Sequence, residues 1–375
     1  MLDTAVFHSA LKSLGISFFA GVPDSLLEDF CAYIDDHVDP SLHHITANEG
    51  NAIAVAMGYQ MATSTVPAVY MQNSGLGNAI NPLASLCDPE VCSIPLLMII
   101  GWRGEPGTSD EPQHVKQGKI TQGQLELLGI PYHVIDADTD LSQVIVQVSD
   151  ELATRSAPVA LLVRKGTFAP HHSRRKHRSP SSLLREAAIH QILALCSGDE
   201  LLVATTGKTS RELYEARIAR RELPADFLSV GGMGHVSSLA FGVALGKPGR
   251  RVICLDGDGS LLMHMGSMAV IGAKRPANLL HVLLNNEAHE SVGSQPTAAS
   301  DIEFCDLAKA TGYRNFFSAS TAEELASAWH EVCAHSGPTF LEIRISCGSR
   351  SDLGRPRLSP EQNKHEFIRT ITELR

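Results

Sequence analysis

Short apolar runs alternate with segments of helical periodicity along almost the whole chain, and this alternation limits the possible folds more than any other feature. Strands that alternate with helices pair in parallel, because each helix carries the chain back across the sheet. Strands are predicted at 17–22, 44–47, 68–72, 95–101, 132–135 and 159–163, and again at 201–205, 227–230, 251–255, 279–284, 314–317 and 339–345. The sequence therefore predicts an α/β fold with two doubly wound parallel sheets covered by helices.

Helices are predicted between most of these strands. A capping-box pattern from Ser25 to Glu28 predicts a helix over 25–34, and an Ala- and Met-rich segment predicts another over 49–61. Helices of the second half are predicted to begin near Ser182, Lys208, His235, Leu261, Asp301 and Thr321. The segment from Gly348 onward is polar, and we expect it to wrap over the body or to be mobile.

The chain length and a basic stretch indicate how the chain is divided. A length of 375 residues suggests two domains. The stretch HHSRRKHRSP at 171–180 lies between the two sets of strands, and a solvated linker is favoured over an anion-binding site there. The predicted organisation is a domain over 1–170, a linker over 171–182 and a domain with a C-terminal tail over 183–375.

Composition excludes several classes of protein. The formal net charge is −10 and the acidic excess lies in the first half, which argues against nucleic acid as the main partner. Apolar runs are too short for a membrane span, and the first residues lack the pattern of a signal peptide. Eight cysteines occur singly, without a CxxC sequence, so reduced thiols in the cytoplasm are expected.

The sequence RVICLDGDGS, followed by Asn285 and Asn286, is the strongest candidate for a functional site. Glycines after a strand let backbone N–H groups approach an anion, and the N-terminus of the next helix favours negative charge. Asp258 adds a carboxylate beside that anion, and Asn286 follows the next predicted strand. Since Mg²⁺ prefers oxygen ligands, the pattern predicts a magnesium-bound diphosphate.

The GDG sequence at 257–259, followed by the NN sequence at 285–286, resembles the signature of the thiamine-diphosphate-dependent enzymes. The resemblance implies that Mg²⁺ is held by Asp258, Asn286 and the backbone carbonyl of Ala288. Thiamine diphosphate would be bound by Gly207, Lys208, Gly231, Met233, Gly257, Gly259 and Ser260. The first domain would then be the pyrimidine-binding domain and the second the diphosphate-binding domain. A tight turn for the glycines and an ordinary core position for Met233 are the structural alternatives.

Glu49, in the sequence ANEGN, follows a predicted strand and begins a predicted helix. In the family such a glutamate binds the pyrimidine ring of the cofactor and promotes formation of the thiazolium ylid. The alternative is a solvated glutamate stabilised by the helix dipole. The GDG–NN pattern elsewhere in the chain favours the catalytic interpretation.

Five longer sequences narrow the resemblance: GVPDSLL, ANEGNAIAVAMGY, QNSGLGN, TTGKTSREL and NNEAHESVGSQPT. They are similar to those of the phosphonopyruvate decarboxylases and the related sulfopyruvate decarboxylases, which lack a middle domain. The resemblance implies non-oxidative decarboxylation of 3-phosphonopyruvate to phosphonoacetaldehyde and CO₂, in phosphonate metabolism such as antibiotic biosynthesis. Sulfopyruvate remains the alternative substrate, because its sulfonate group and the phosphonate group of phosphonopyruvate are both tetrahedral anions. Ser294 stands where a second glycine is expected, which leaves the shape of that loop open.

The substrate of such an enzyme is a small anionic 2-oxo acid, which needs hydrogen-bond donors. Candidate donors are Ser25, Asn73, Arg103, Lys208, His289, Ser291 and Gln295. Asp24 and His114 are candidates for moving protons near the reacting carbon. The structural alternatives are an N-cap for Asp24, a surface loop for Arg103 and His114, and a cap of the NN loop for His289.

Three other functions agree less well with the sequence. A dinucleotide-dependent oxidoreductase is disfavoured because the sequences at 75–80 and 231–237 lack the third glycine of the fingerprint. A non-enzymatic binding subunit would be expected to lose Glu49 or Asp258, and a carboligase such as an acetolactate synthase carries a middle domain. The resemblance further implies a homo-oligomer with active sites at a dimer interface.

Overall fold

The computed structural model describes residues 1–175, 181–223 and 225–373. The chain divides into two compact units, Met1–Lys176 and His177–Arg375. The predicted linker spans this division, and its residues 176–180 lie outside the described part. Within the described ranges, none of the helices combines the length and the apolar character that crossing a membrane requires.

The first unit begins with a helix and then alternates strands with helices. Its strands are β1 (Phe19–Gly21), β2 (His43–Ile45), β3 (Ala68–Gln72), β4 (Leu97–Gly101), β5 (Tyr132–Ile135) and β6 (Val159–Val163). Its α-helices are α1 (Thr4–Ser13), α2 (Glu28–His37), α3 (Glu49–Thr63), α4 (Leu76–Pro82), α5 (Pro112–Leu127) and α6 (Leu141–Arg155). A 3₁₀ turn over Asn73–Gly75 and a π-helical turn over Leu83–Cys87 flank α4.

The second unit repeats this alternation. Its strands are β7 (Leu201–Ala204), β8 (Phe227–Leu228), β9 (Val252–Gly257), β10 (Leu279–Asn285), β11 (Ala288–His289), β12 (Gln295–Pro296), β13 (Asn315–Ala319) and β14 (Thr339–Arg344). Its α-helices are α7 (Arg185–Leu195), α8 (Lys208–Ala219), α9 (Val236–Gly246), α10 (Asp258–Met263), α11 (Gly266–Lys274), α12 (Phe304–Ala310), α13 (Ala322–Ala334) and α14 (Pro360–Glu373). Short 3₁₀ turns cover Glu290–Val292 and Ala298–Asp301.

Each unit contains a six-stranded sheet, and every pair of neighbouring strands in it is parallel. The strand order is β2-β1-β3-β4-β6-β5 in the first sheet and β8-β7-β9-β10-β14-β13 in the second. When the six strands of each sheet are numbered in chain order, both sheets have the order 2-1-3-4-6-5, so the two units share one topology. The prediction of two doubly wound parallel sheets is confirmed. The antiparallel ribbon of β11 and β12 was not predicted.

Helices cover both faces of each sheet because the strands are apolar on both faces. In β4, Leu97 and Ile99 pack in one buried cluster, whereas Met98 and Ile100 pack in another. The sheet of the second unit is covered by two clusters in the same way. Strands buried on both faces read as continuous apolar runs, which is why they could be located from the sequence.

The helix predicted to begin at Ser25 begins instead at Glu28, so the capping-box prediction is wrong. Leu27 is the N-cap residue and makes no side-chain cap. The Ser25 hydroxyl accepts a hydrogen bond from Arg103 Nη1 at 2.7 Å, and Asp24 Oδ2 accepts the N–H of Leu26 at 3.2 Å. The residues that would cap a helix therefore form a turn at the end of β1.

The segment after Gly348 ends in a helix, α14, rather than in extended chain. Asn363 of this helix is buried beside the edge strand β8. Its Oδ1 accepts the N–H of Leu228 at 3.0 Å and its Nδ2 donates to the carbonyl of Asp226 at 2.8 Å. One side chain thereby occupies the hydrogen-bonding groups that an additional strand would use.

Helix α5 packs closely against the loop that follows β4. Trp102 Nε1 donates to the carbonyl of Gly118 at 3.0 Å. A β-carbon on Gly118 would overlap the carbonyl of Gly104, whereas one on Gly123 of the same helix would meet open space. The approach of α5 to this loop therefore depends on the glycine at 118.

We expect Gly118→Ala to lower the free energy of unfolding by about 1–3 kcal/mol, because the backbone of the loop must move to admit the methyl group. The matched control Gly123→Ala should be neutral or raise the free energy of unfolding by up to about 1 kcal/mol, because alanine favours helix. Urea denaturation of both variants measures the difference. Equal effects at the two positions would contradict the proposed packing.

Candidate active site

Neighbouring strands of the second sheet end in polar loops at the same edge. Gly207 and Lys208 follow β7, Asp258 follows β9, and Asn286 follows β10. These strands are adjacent in the order β7-β9-β10, and parallel pairing puts their carboxyl ends at one edge. The segment with Gly231 and Met233 follows β8, the next strand at this edge.

Asp258 is almost completely buried at the start of α10, which begins three residues earlier than predicted. Its Oδ2 accepts a hydrogen bond of 2.5 Å from Thr297 Oγ1. Burial raises the pKa of Asp258 to about 6, and bonds from Thr297 and from backbone N–H groups of Asn286 and Gly259 offset this only in part. A cation beside Asp258 would favour its charged form, as expected for a buried metal ligand.

Asn286 lies beside Asp258, since its N–H contributes to the hydrogen bonding of that carboxylate. Asn286 Oδ1 accepts the N–H of Ala288 at 3.2 Å, and Nδ2 donates to Glu290 Oε2 at 3.0 Å. The carboxylate, the amide oxygen and the carbonyl of Ala288 are the hard oxygen donors that Mg²⁺ prefers. These residues therefore fit a magnesium ion.

Gly259, at the start of α10, lies close to the side chains of His289 and Met233. A β-carbon on Gly259 would lie 3.2 Å from the His289 ring and 3.4 Å from Met233 Cε. Ser260 Oγ accepts hydrogen bonds from Thr205 Oγ1 at 3.1 Å and from the N–H of Gly234 at 3.2 Å. The side chain of Ser260 thus ties three loops together.

The loop after β7 is held by an ion-pair network. Gly207 has a φ of +88° and is the N-cap of α8. Lys208 Nζ donates to Glu290 Oε1 at 2.8 Å, and Arg185 Nη1 donates to Glu290 Oε2 at 2.8 Å. The ammonium group proposed from the sequence as a substrate donor is therefore engaged in an ion pair.

The ribbon of β11 and β12 carries the remaining candidates of this unit. His289 pairs with Gln295 across the ribbon, and burial lowers the pKa of His289 to about 4. Ser291 is exposed. Gln295 is buried, and its Oε1 has no hydrogen-bond partner among the described residues. Ser294 has a φ of +59°, so a left-handed residue closes this loop in place of the expected glycine.

Glu49 is the first residue of α3 and is buried. Asn78 Nδ2 donates to Glu49 Oε2 at 2.7 Å. A β-carbon on Gly75 would overlap the Glu49 carboxyl group, so that group lies directly against the turn after β3. Burial raises the pKa of Glu49, which favours sharing a proton with a ring nitrogen over a solvated charge.

Asp24 lies in the turn after β1 and is fully buried. Its Oδ1 has no hydrogen-bond partner among the described residues. Burial raises the pKa of Asp24 to about 7, although the charge of Arg103 and backbone bonds act in the opposite direction. Asp24 can therefore hold or release a proton near neutral pH.

Arg103 follows β4 and is bound on two sides. Its Nε and Nη2 donate to Asp110 at 2.8 and 2.5 Å, and its Nη1 donates to Ser25 Oγ at 2.7 Å. Burial alone would raise the pKa of Asp110, but the bonds from Arg103 and from backbone N–H groups outweigh it and hold that pKa well below its ordinary range. A salt bridge thus orients the guanidinium toward the turn after β1.

Asn73 and His114 lie beside this cluster. Asn73 Nδ2 donates to the Arg103 carbonyl at 2.8 Å and to Thr121 Oγ1 at 2.9 Å, and Oδ1 accepts the N–H of Arg103 at 3.2 Å. These bonds give Asn73 a role in joining the loops. His114 Nδ1 lies 3.5 Å from Gln72 Nε2, and burial together with the charge of Arg103 lowers the pKa of His114.

Another polar cluster lies beneath the loop after β9. Ligand atoms of Cys254, Asp256 and His281 are all within 4.8 Å of one another and are buried. His281 Nε2 lies 3.2 Å from Asp256 Oδ2, and Nδ1 lies 3.0 Å from the Tyr313 hydroxyl. Because both ring nitrogens are engaged, we interpret these residues as a hydrogen-bonded cluster of the core.

Four partners of the candidate residues were not identified from the sequence: Asn78, Asp110, Glu290 and Thr297. Asn78, Glu290 and Thr297 lie inside sequences already singled out, QNSGLGN and NNEAHESVGSQPT, so their positions were available although their contacts were not. Asp110 lies in a Gly- and Pro-rich loop, and no spacing in the sequence signals it.

Comparison with known proteins identifies the family of both units. The model of the thiamine pyrophosphate enzyme N-terminal TPP binding domain matches residues 4–125, and that of the C-terminal TPP binding domain matches residues 206–343. A phosphonopyruvate decarboxylase of Streptomyces viridochromogenes is 36% identical, over 99% of this chain and 96% of that protein. One of Streptomyces hygroscopicus is 35% identical, over 100% and 95%. A sulfopyruvate decarboxylase of Methanosarcina acetivorans is 28% identical, over 96% and 95%.

The chain therefore belongs to the thiamine pyrophosphate enzymes. Within them, its similarity over the full length makes it a member of the decarboxylase family that contains these phosphonopyruvate and sulfopyruvate decarboxylases. Thiamine diphosphate is accordingly the cofactor class of the protein. The alternative of a dinucleotide-dependent oxidoreductase is excluded by the same matches.

The buried carboxyl group of Asp24 predicts an unusual dependence of stability on pH. Between about pH 4 and 7 the folded protein keeps a proton on Asp24 that the unfolded chain releases, so Asp24 lowers the free energy of unfolding as the pH rises, by at most about 1.4 kcal/mol per pH unit. Asp24→Asn removes this contribution. The variant should gain stability relative to the parent between about pH 4.5 and 6.5 in denaturant titrations. A difference that does not change with pH would contradict the raised pKa.

Proposed function

We propose that the protein decarboxylates 3-phosphonopyruvate to phosphonoacetaldehyde and CO₂. The observation that carries this proposal is the identity of 36% and 35%, over almost the whole chain, to two phosphonopyruvate decarboxylases. The sulfopyruvate decarboxylase with comparable coverage is 28% identical. The buried carboxyl groups, and Arg103 with its partners Asp110 and Ser25, support an acid–base reaction on an anionic substrate.

The second unit would hold Mg²⁺ and the diphosphate. Asp258, Asn286 and the carbonyl of Ala288 would bind the metal. Backbone N–H groups of the two glycine-containing loops would bind the phosphate oxygens, as helix N-termini do. The residues proposed for cofactor binding are Gly207, Lys208, Gly231, Met233, Gly257, Gly259 and Ser260. When bound, the cofactor supplies a nucleophilic carbon and an electron sink for loss of CO₂.

The first unit would supply the groups that hold protons. Glu49 would hold a proton at its carboxyl group toward the pyrimidine ring, with Oε2 fixed by Asn78. Asp24 and His114 would hold or move protons near the reacting carbon. The pKa of Asp24 at about 7 supports this role, because an effective proton donor titrates near the working pH.

The phosphonate would be recognised by hydrogen-bond donors at these sheet edges. Ser25 and Arg103 form one pair, held in place by Asp110. Asn73, His289, Ser291 and Gln295 complete the proposed set. The engaged amide of Asn73 supports a role in shaping the loop.

We also propose that the protein works as a homo-oligomer in the cytoplasm. Glu49 and the metal-binding residues lie in different units, which supports a shared active site at a dimer interface. The eight cysteines are free thiols, which supports a reducing compartment.

The central test is decarboxylation of phosphonopyruvate and sulfopyruvate side by side, with thiamine diphosphate and Mg²⁺, by measuring aldehyde release. We expect a clear preference for phosphonopyruvate in kcat/KM, and loss of activity when a chelator removes Mg²⁺. A preference for sulfopyruvate would leave the cofactor assignment unchanged but would make sulfopyruvate the substrate. Cofactor binding without turnover of either acid would contradict the proposed reaction.

A glutamine at position 49 tests the proton-holding group. Glu49→Gln keeps the shape of the side chain but cannot hold the acidic proton, so turnover should fall about 10²–10⁴-fold while thiamine diphosphate still binds. The control is Glu90→Gln, at an exposed glutamate of the same unit, and it should remain fully active. Turnover of the Glu49 variant at the parent rate would contradict the role of this residue.

A further inference from the structure

Glu290 connects three segments of the second unit through one carboxylate. Its Oε1 accepts hydrogen bonds from Lys208 Nζ at 2.8 Å and from the N–H of Gly348 at 3.1 Å. Its Oε2 accepts from Arg185 Nη1 at 2.8 Å and from Asn286 Nδ2 at 3.0 Å. The loop after β7, the loop after β10 and the segment after β14 therefore meet at this side chain.

The carboxylate of Glu290 is held in a fixed position. Arg185 is buried and forms two further hydrogen bonds, of 2.8 and 3.0 Å, with the carboxylate of Glu212. A planar guanidinium bound to two carboxylates has little freedom to move, and Lys208 secures Glu290 from another side. The oxygen that accepts from Asn286 is consequently rigid as well as negatively charged.

The amide of Asn286 can bind a metal ion only through its oxygen. Rotating the amide by half a turn would put its NH₂ group against the N–H of Ala288 and its oxygen against the carboxylate of Glu290. Both contacts would then be repulsive, whereas both are hydrogen bonds in the observed orientation. Two neighbours thus select the orientation in which Oδ1 faces the N–H of Ala288 and Nδ2 faces Glu290.

We propose that Glu290 is a positioning residue that fixes the amide oxygen of Asn286 for Mg²⁺ and, through Lys208, ties the metal loop to the loop after β7. This inference rests on the proposed function, because that function assigns the metal to Asp258, Asn286 and Ala288. Partners that orient a metal ligand commonly change metal affinity about 10–100-fold when they are lost.

The test measures binding of thiamine diphosphate by equilibrium dialysis while the Mg²⁺ concentration is varied, and it needs no turnover. In Glu290→Gln the charge that selects the amide orientation is lost, so the Mg²⁺ concentration for half-maximal binding should rise about 10–100-fold. The matched control is Glu212→Gln, which removes the other carboxylate on Arg185. It should lower the melting temperature to a similar degree but leave the Mg²⁺ requirement close to that of the parent.

A second substitution separates amide orientation from other effects. Asn286→Asp presents an oxygen whichever way the group is turned, and in the Glu290→Gln background it meets no opposing carboxylate at position 290. The double variant Glu290→Gln with Asn286→Asp should therefore recover most of the Mg²⁺ affinity that Glu290→Gln alone loses. Recovery is not expected if Glu290 only stabilises the fold.

Several outcomes would overturn the inference. These are an unchanged Mg²⁺ requirement in Glu290→Gln, an equal rise in Glu212→Gln, or a double variant as weak as Glu290→Gln. If Glu290→Gln does not fold, Glu290→Asp retains the charge beside Arg185 but retreats from Asn286, and an unchanged Mg²⁺ requirement there would also overturn it. Cofactor binding by the parent that does not depend on Mg²⁺ would instead contradict the proposed function, and this inference with it.

Discussion

In both sheets, hydrogen bonds between parallel strands align the strand ends, so loops that are distant in the sequence meet at one edge. The loops after β7, β9 and β10 are adjacent for this reason, although 82 positions separate Lys208 from its partner Glu290 in the chain. The equivalent strands β1, β3 and β4 bring Asp24, Asn73 and Arg103 together in the first unit. One topology therefore builds two different polar sites.

Burial of carboxyl groups at these sheet edges has different consequences in the two units. In the first unit, burial raises the pKa of Glu49, and it raises the pKa of Asp24 to about 7, so Asp24 can carry a proton near neutral pH. In the second unit, burial raises the pKa of Asp258 to about 6, and a metal ion would stabilise its charged form. The same desolvation thus favours a proton at one site and a divalent cation at the other, and the neighbouring oxygen donors decide between them.

Much of the fold could be predicted because the strands are buried on both faces. The strands at 68–72, 132–135 and 159–163 match the prediction residue for residue. Helix starts were less predictable: Ser25 has the composition of a cap, but its hydroxyl is taken by Arg103 from a distant loop. Local sequence contains no information about such a competitor.

The candidate site likewise contains residues that the sequence could identify and residues that it could not. Asp258 and Asn286 could be identified from the sequence because each follows a predicted strand. Parallel strands end at the same edge of the sheet, so residues that follow neighbouring strands lie close together. Asp110 and Thr297 could not be identified in this way, because they act through side-chain bonds whose partners are set by tertiary packing. Ser294 departs from the expected glycine, yet its φ of +59° shows that the loop keeps the left-handed turn at the expense of some strain.

Asn363 follows every strand of its sheet in the sequence, yet it covers the open edge of β8. During synthesis the edge strand is therefore made long before the side chain that caps it. Until α14 has emerged, the N–H of Leu228 and the carbonyl of Asp226 are available to pair with another nascent chain, and unpaired edges are common starting points for aggregation. The second unit therefore cannot close this sheet edge until a helix that lies outside the sheet has been made.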